Sequence, residues 1–453
     1  MYSESQKIIA LQSRADMEIG AGEFGWSVAL SADGNTALVG TPGDNSSVGS
    51  ASVFILKGTT WINQHTLYAP ATGANMEIGA GRFGNSVALS SDGNTALVGG
   101  PLDNPVTPSP SQAIGVGAAW VFNRNDSTWD AGQKLIAPTA GNDMEIGGGE
   151  FGNSVALSAD GNTALVGAPC DNPVTTITPE QAGAGAAWVF ICTDSTWGSG
   201  HKLIALASGP NREIGPGQFG TSVALSADGK TALVGTPINK PSTPLGGDAG
   251  VGAASVFIRN GTTWVNQHTL RAPTSGADME IGAGNFGTSV ALSSDGNTAL
   301  VGAPSDNPEE GGSDFIPGVG AAWAFIRTDD TWDGGQKLIA PTSGADEEIN
   351  TAQLGGSVAL SADGNTALIG GSSDNVGGAA WAFDFQRSLT GGHSWVVGQK
   401  LTASKSVDFG WSVALSSDGN TALVGSPFST VDEVKDGGAA WMFETPPPPP
   451  PPP

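Results

Sequence analysis

The sequence is poor in charged residues, cysteine and histidine, and it has no long apolar run. Asp, Glu, Lys and Arg make up 13% of its 453 residues, about half of the ~25% in an ordinary domain. The 2 Cys exclude the disulfide-dense framework of small secreted domains. No stretch approaches the ~18 consecutive apolar residues of a membrane-spanning helix, so membrane insertion is not expected.

Basic residues are the scarcest charged group. The chain has 18 Lys and Arg against 43 Asp and Glu, a net charge of −25. Nucleic acids and anionic membranes are bound through Lys and Arg surfaces, so neither is an expected partner. The acidic balance fits a soluble surface outside the cell, although Met1–Lys7 lacks the apolar run of a signal peptide. The chain is either intracellular, or a mature or partial form of an extracellular protein, and we favour the second interpretation.

Glycine, in contrast, is abundant. The chain has 68 Gly, about 15% against a usual ~7%. Each Gly inside a helix costs about 0.5–1 kcal/mol relative to Ala, so this composition disfavours helices and favours short strands joined by tight turns. A hydrophobic content of 39% with 13 Trp is sufficient for a packed core.

One sequence unit occurs seven times. Its signature, Phe-Gly-x-Ser-Val-Ala-Leu-Ser-x-Asp-Gly-Asn-Thr-Ala-Leu-Val-Gly, begins at Phe24, Phe83, Phe151, Phe219, Phe286, Phe409 and, in a weaker copy, Leu354. Each unit has four strand-like runs, which in the second unit are Ser86–Ser90, Thr95–Gly99, Ala118–Phe122 and Gln133–Ala137. The Asp-Gly-Asn between the first two runs is typical of a β-hairpin. The pattern predicts an all-β fold, a seven-bladed β-propeller of four-stranded antiparallel blades over residues 1–445.

The two ends of this region complement each other. Gln6–Ala10 copies the fourth-strand motif Gln-Lys-Leu-Ile-Ala, and Ala440–Phe443 is a third strand with no fourth strand after it. We therefore expect the N-terminal strand to close the last blade and remove its open edge. The alternative is that this strand pairs with a neighbouring molecule, which would build a filament.

The repeated string, continued by Gly-Ala-Ala-Trp-Val-Phe and Gln-Lys-Leu, resembles the FG-GAP repeat family, whose best-known members are the heads of integrin α-subunits. The resemblance runs from about Gln6 to Phe443. It implies a propeller fold but says little about function, since family members include adhesion modules, sugar-binding propellers and proteins of unknown role. Calcium-binding FG-GAP loops carry several carboxylates, because Ca²⁺ takes about six to eight oxygen ligands. The Asp-Gly-Asn loops here have one carboxylate each, so we expect no calcium at these turns and no other cofactor.

Two series of carboxylates recur on one predicted face. In an up-and-down blade the loop between the second and third strands lies at the same end as the connector to the next blade. This face is a candidate binding surface for cations, a basic partner or sugar hydroxyls, and the alternative is a repeated structural turn. Its aspartates are Asp44, Asp103, Asp171, Asp306 and Asp374, and its glutamates are Glu18, Glu77, Glu145, Glu213, Glu280 and Glu348. The same face receives four long loops, Pro101–Gly117, Pro169–Gly185, Pro237–Gly252 and Pro304–Gly320, where a partner is expected to bind.

Tryptophan also recurs with the repeat. One series lies in the third strands, at Trp120, Trp188, Trp323, Trp381 and Trp441, and a second comprises Trp61, Trp129, Trp197, Trp264, Trp332 and Trp395. Such regular recurrence favours packing between blades over a platform for ligands. Trp26 and Trp411 replace the Asn or Thr of other units and are individual candidates for binding.

No residue set predicts catalysis. None of the four His has the spacing of metal ligands, and no nucleophile elbow or phosphate loop is present. We therefore predict neither enzyme activity nor any catalytic or metal-ligating residue. Cys170 and Cys192 fall at opposite ends of a predicted strand pair, roughly 16 Å apart at ~3.3 Å per residue. Because a disulfide needs Cα atoms within about 7 Å, both are expected to be free.

A run of eight prolines follows the propeller region, and it comprises Pro446, Pro447, Pro448, Pro449, Pro450, Pro451, Pro452 and Pro453. Such a run favours a polyproline II rod of about 3.1 Å per residue. We interpret it as a linker to a further domain, or as a tail that is hydroxylated and O-glycosylated, as in hydroxyproline-rich extracellular glycoproteins. Acceptor sequences for N-glycosylation lie at Asn45, Asn125 and Asn260.

The leading hypothesis from the sequence is a non-enzymatic extracellular propeller with a structural or adhesive role. Its partners would be other proteins or copies of itself, in a glycosylated extracellular filament. The alternative is a lectin-like propeller that binds glycans on the face with the long loops. An enzyme is the third hypothesis.

Overall fold

The computed structural model describes residues 1–10, 22–103, 116–171, 184–206, 217–238, 251–306, 318–348, 351–375, 377–387, 393–431 and 434–446. Seven small antiparallel sheets form a ring in the order of the sequence. The predicted seven-bladed β-propeller is therefore confirmed.

Each blade pairs its strands in the order first, second, third, fourth. Blade 1 comprises Ser27–Leu30, Thr36–Thr41, Ser50–Lys57 and Thr60–Leu67, and blade 4 comprises Val223–Leu225, Thr231–Thr236, Ala253–Asn260 and Thr263–Leu270. Blade 6 comprises Ser357–Leu360, Thr366–Gly371, Ala379–Arg387 and His393–Leu401, and blade 7 comprises Ser412–Leu415, Thr421–Ser426, Ala439–Glu444 and, from the N-terminus, Ser3–Ile8.

In the other three blades the fourth strand is divided into two short segments. Blade 2 comprises Ser86–Leu89, Thr95–Gly100, Ala118–Asn125, Thr128–Trp129 and Gln133–Leu135. Blade 3 comprises Ser154–Leu157, Thr163–Ala168, Ala186–Thr193, Thr196–Trp197 and His201–Leu203. Blade 5 comprises Ser289–Leu292, Thr298–Ala303, Ala321–Thr328, Thr331–Trp332 and Gln336–Leu338. A four-residue helical turn, Asp44–Ser47, follows the second strand of blade 1.

The second strands form the middle of each blade. Thr163–Ala168 is buried at every position, because strands flank it within its sheet and neighbouring blades cover both faces. This explains why its sequence is continuously apolar or small rather than alternating. Gly167 belongs to this strand, and a Cβ there would overlap the carbonyl oxygen of Gly220 in the next blade. Glycine at this repeated position therefore sets how closely neighbouring blades approach.

The hydrophobic core lies between blades. Seven clusters of buried side chains each join residues of two neighbouring blades. The Phe side chain at the start of each repeat packs against the aromatic residues of the third strand. Phe151 is fully buried and meets Trp188 and Phe190 edge-on, with ring centroids 5.6 and 5.9 Å apart. The third-strand Trp series, 0–2% exposed, thus packs in the core.

A ring of hydrogen bonds closes the inner edge of the propeller. The residue before each Asp-Gly pair donates its backbone N–H to the carbonyl oxygen of its counterpart in the next blade, at 2.9 Å in every case. The order is Ala32, Ser91, Ala159, Ala227, Ser294, Ala362, Ser417 and back to Ala32. The first blade is therefore bonded to the seventh in the same way as every other neighbouring pair.

The N-terminal strand completes blade 7 within its own molecule. Ser3–Ile8 pairs antiparallel with Ala439–Glu444, so the predicted closure is confirmed. Gln399 of blade 6 clamps the backbone of Tyr2, accepting from its N–H at 2.7 Å and donating to its carbonyl at 2.9 Å. Gln336 holds the backbone of Trp395 in the same manner. Tyr2 therefore occupies the aromatic position of a fourth strand.

Cys170 and Cys192 are both free, as predicted, and Cys192 lies inside the third strand Ala186–Thr193 rather than after it. In the part of the chain that the structure describes, no helix is both long enough and apolar enough to cross a membrane.

Candidate functional site

The propeller has two faces with different chemistry. We call the end of the blades with the Asp-Gly-Asn turns the turn face, and the opposite end, with the second-to-third strand loops and the connectors between blades, the loop face. Because strands run antiparallel within each blade, first strands begin at the loop face and third strands end at the turn face.

On the turn face one carboxylate recurs in each blade. The seven residues are Asp33, Asp92, Asp160, Asp228, Asp295, Asp363 and Asp418. In blade 1, Asp33 accepts hydrogen bonds from Ser31 Oγ at 2.6 Å and from the backbone and side-chain nitrogens of Asn35 at 3.0 Å. Burial tends to raise the pKa of Asp33, but these hydrogen bonds outweigh it and hold the pKa below the usual range. The carboxylate is therefore ionised and held by its own turn.

On the loop face the predicted ring of aspartates is buried rather than exposed. Asp44, Asp103, Asp171, Asp306 and Asp374 are at most 2% exposed. Asp103 Oδ1 accepts from the backbone N–H of Ile78 at 2.6 Å, and its Oδ2 lies 2.7 Å from Lys134 Nζ. These carboxylates face into the protein.

Lys134 is the partner that the sequence analysis missed. Its Nζ also donates to the carbonyl of Met76 at 2.7 Å and lies 5.1 Å from the ring centre of Trp120. We call such a trio of third-strand Trp, fourth-strand Lys and loop Asp a Trp–Lys–Asp cluster. It recurs as Trp188, Lys202 and Asp171; as Trp323, Lys337 and Asp306; and as Trp381, Lys400 and Asp374. The Lys of Gln-Lys-Leu was the available signal, because it accompanies Trp in these units.

Blades 1 and 4 replace two members of the cluster together. Ser52 and Ser255 stand in place of Trp, and Thr66 and Thr269 stand in place of Lys. The paired hydroxyls lie 3.4 Å apart and are buried. Where the aromatic ring is absent the buried ammonium group is absent too, which indicates that Trp and Lys act as one packing unit.

The predicted glutamates of the connectors are also held internally. Glu145 Oε1 accepts from the backbone N–H of Gly149 at 2.7 Å. Burial raises the pKa of Glu145 and of Glu280 to about 8, and that of Glu77 and of Glu348 to about 7. Glu18 and Glu213, and most of the four long loops, lie outside the described residues. The proposed binding role of these carboxylates stays a prediction, and the four described glutamates are partly buried, each with one oxygen bonded to a backbone N–H.

The loop face carries one exposed feature that breaks the sevenfold repeat. Trp26 and Trp411 immediately precede the first strands of blades 1 and 7, and their ring centroids lie 4.8 Å apart. Phe428, from the loop of blade 7, meets both edge-on at 6.1 and 5.4 Å. We call these three partly exposed residues the aromatic cluster. Arg82 lies 5.1 Å from the ring centre of Trp26 and pairs with Glu23 at 2.7 Å.

The sequence identified two members of the aromatic cluster and missed the third. Trp26 and Trp411 deviate from their repeat position, whereas the position of Phe428 is variable in the repeat, with Leu102, Cys170, Ile238 and Ser305 as its counterparts, so an aromatic residue there was not singled out. The side chains meet because closure of the ring places blade 7 beside blade 1.

The predicted glycosylation sites lie on the surface. Asn45, Asn125 and Asn260 are all exposed. Of the eight prolines, Pro446 is described, and the other seven lie outside the described residues. Among the residues that the structure describes, no group of three or more His, Cys, Asp or Glu side chains is arranged to hold a metal ion.

Comparison with known proteins supports the fold. The family described as FG-GAP repeat matches residues 2–54, and no curated protein matches the sequence. The hydrazine synthase of Kuenenia stuttgartiensis is 13% identical, with a TM-score of 0.51 over 96% of this chain and 99% of that one. A Bacteroides uniformis protein assigned provisionally as a 6-phosphogluconolactonase is 15% identical, with a TM-score of 0.48 over 88% and 90%.

At 13% identity the likeness to hydrazine synthase concerns the fold alone. The matched segment covers the N-terminal strand and most of blade 1, and its signature recurs in the other six blades. The ring of seven four-stranded sheets makes the chain a seven-bladed β-propeller, and the match over residues 2–54 together with the recurrence of its signature supports FG-GAP repeats as the units of that propeller.

Proposed function

We propose that this propeller is a non-enzymatic extracellular module with a structural or adhesive role, which binds partner proteins or copies of itself. The self-associated form would be a glycosylated extracellular filament.

The observation that carries the proposal is that the repeated polar residues bond to one another and to the backbone inside the protein. In blade 2, Asp103 is bonded to Ile78 and Lys134, and Glu77 Oε1 accepts from the backbone N–H of Gly81 at 2.6 Å. Equivalent bonds recur in blades 3 and 5. The chemistry that the repeat supplies therefore stabilises the ring, as expected for a rigid scaffold.

The exposed surface also supports an interaction role. The aromatic cluster is a partly exposed apolar site on the loop face, where neighbouring units carry small polar residues. The three acceptor asparagines are exposed, so glycans attached there would meet no steric obstacle from the described residues.

A carbohydrate-binding propeller is the second candidate. Partly exposed indole rings stack on the apolar faces of sugars, and the hydrophilic Gln353 and Asp408 lie in the turns beside Trp411. Binding to a glycan array that disappears when Trp411 is replaced would favour this function over the first.

Electron microscopy and sedimentation velocity of native material, with intact-mass analysis, test the leading proposal. We expect polymers that carry glycan mass. A monodisperse, unmodified monomer would contradict the filament form, and recovery of the protein from the cytoplasm would contradict the extracellular role.

A further inference from the structure

We propose that the aromatic cluster on the loop face binds the proline run of a second copy of this chain. The inference rests on the self-association proposed above and gives it a specific contact, Trp26, Trp411 and Phe428 on one molecule and the segment beginning at Pro446 on the next.

The aromatic cluster is not part of the packing that holds the blades together. None of its three side chains belongs to the seven core clusters between blades. At the repeat position of Trp26 and Trp411 the other blades carry Asn85, Asn153, Thr221, Thr288 and Gly356. The fold therefore accepts small polar residues here, and the two indoles are not needed to form the ring.

Space is present beside the cluster. The ring position that precedes Trp411 is Gly356, where a Cβ would have a single neighbour, the carbonyl oxygen of Gln353 at 3.5 Å. The position on the other side holds Trp26, at 4.8 Å between ring centroids. Trp411 thus has an aromatic ring on one side and no side chain at the adjoining position on the other, which leaves room for a ligand.

The exposed chemistry matches a polyproline II segment. Proline-rich chains dock on aromatic side chains because the rod is already ordered and loses little entropy on binding. The carbonyl groups of such a rod have no internal hydrogen-bond partners. The indole N–H of Trp411 donates to no described residue and is not among the buried donors, so it is available to such a carbonyl.

The start of the proline run and the aromatic cluster lie at opposite faces of the propeller, which favours binding between molecules over binding within one molecule. Thr445 is bonded to Asn420, at 2.9 Å through both backbone and side chain, so the proline run leaves at the turn face. The aromatic cluster lies on the loop face. The third strand of blade 7, Ala439–Glu444, has 6 residues and spans about 20 Å at ~3.3 Å per residue.

Eight prolines extend about 25 Å at ~3.1 Å per residue. To reach the aromatic cluster of its own molecule the rod would have to reverse direction after Pro446 and run back along the side of the blade. A rod that continues away from the turn face instead meets the loop face of a second molecule. Contacts of this head-to-tail kind repeat without closing unless the rotation between subunits completes a ring, and so they build filaments.

Charge favours the same contact. Two copies that each carry a net charge of −25 repel one another when their surfaces approach. The proline run is uncharged, and the one cation beside the aromatic cluster, Arg82, is paired with Glu23 among the described residues. Asp408 lies in the turn beside Trp411, and an uncharged rod is not repelled by it, so this contact joins the copies with little electrostatic opposition.

The test uses the full-length chain and an octaproline peptide. The aromatic cluster is removed by Trp26→Asn with Trp411→Thr, which install residues found at this position in other blades. Asn153→Thr, at the same ring position in blade 3, is the matched control. In a further variant a Gly-Ser segment of equal length replaces the proline run. Octaproline binding is followed by tryptophan fluorescence, self-association by sedimentation velocity, and folding by circular dichroism.

We expect octaproline to bind the chain with the Gly-Ser segment, and binding to weaken at least about tenfold when the Trp26→Asn and Trp411→Thr changes are added. Asn153→Thr should leave binding unchanged. Self-association of the native chain should fall by a similar factor when either the aromatic cluster or the proline run is replaced.

The inference would be overturned if octaproline did not bind. It would also be overturned if octaproline bound the chain with and without the two indoles equally well. A neutral oligosaccharide that binds in place of octaproline would also overturn it and assign the aromatic cluster to sugars. If octaproline fails to bind while copies still associate, the proposed filament survives with a different contact. If octaproline binds while the native chain stays monomeric, the role of a second copy is wrong.

Discussion

Replacing Lys134 by Met tests whether the Trp–Lys–Asp cluster stabilises the propeller. Lys134 Nζ lies 2.7 Å from Asp103 Oδ2, with side-chain exposures of 7% and 0%. Methionine has a similar length and stays against Trp120, so the change removes the charge with little loss of volume. The Asp103 carboxylate is then left buried with the N–H of Ile78 as its remaining donor.

The expected cost follows from that uncompensated carboxylate. Breaking a buried ion pair by removing one partner typically costs about 3–5 kcal/mol, and the lost cation–π contact adds about 0.5–2 kcal/mol. Burial already raises the pKa of Asp103, and without Lys134 the pKa rises further. Protonation then relieves the penalty, so Lys134→Met should destabilise the chain by about 3 kcal/mol or more near neutral pH and by less in acid.

Urea unfolding followed by tryptophan fluorescence measures the loss at several pH values. The double variant Lys134→Met with Asp103→Asn removes both charges and should recover most of the stability. The single variant Asp103→Asn, which leaves Lys134 without its counter-ion, should be destabilised like Lys134→Met. A loss below about 1 kcal/mol that does not change with pH would refute the reasoning, because it would place Lys134 among weak surface pairs.

Three further predictions concern packing, pH and closure. Gly167→Ala should destabilise the propeller by about 1–3 kcal/mol or more, because its Cβ would overlap the next blade. Gly334→Ala, where a Cβ meets nothing, should be neutral in the same urea titration. Glu145 has an ordinary pKa of 4.5 and a folded pKa of about 8, so between these values the folded chain holds a proton that the unfolded chain has released. The free energy of unfolding should therefore fall as pH rises through this window and level off above it, and Glu145→Gln should reduce the slope, the rest of which comes from Glu77, Glu280 and Glu348. Tyr2→Ala should weaken the attachment of the N-terminal strand, since the Tyr2 side chain packs in the core cluster between blades 6 and 7; faster amide exchange of Ser3–Ile8 by mass spectrometry would reveal it, and unchanged exchange would show that this side chain does not hold the strand.

Local patterns were sufficient for the architecture. Asp-Gly-Asn predicts a hairpin because the turn needs a residue with positive φ, and Gly34 has φ of 67°. Strands and turns of this kind are specified by residues that are close together in the chain. The alternation of four short strands with such turns can therefore be predicted from the sequence. The closing strand was predicted for the same reason, since Gln6-Lys7 repeats the Gln-Lys of other fourth strands.

Whether the recurring polar residues are buried or exposed could not be predicted from local patterns. Asp103, Glu77 and Lys134 recur at fixed spacing whether they face solvent or one another, because a repeat preserves spacing in either case. The structure brings them together, with Asp103 buried and Glu77 partly buried, since the loop, the connector and the fourth strand converge only after the blade forms. Their recurrence therefore reflects the stability of the ring at least as much as any binding.

The seven blades, their hairpins and the strand that closes them could be predicted from the sequence, because strand periodicity, turn chemistry and repetition are encoded over short stretches of chain. Which side chains form buried pairs and which form a surface depends on contacts between distant segments, and these exist only in the folded ring. Trp26 and Trp411 are separated by almost the whole propeller in sequence, and their rings lie 4.8 Å apart because closure of the ring makes the first and last blades neighbours.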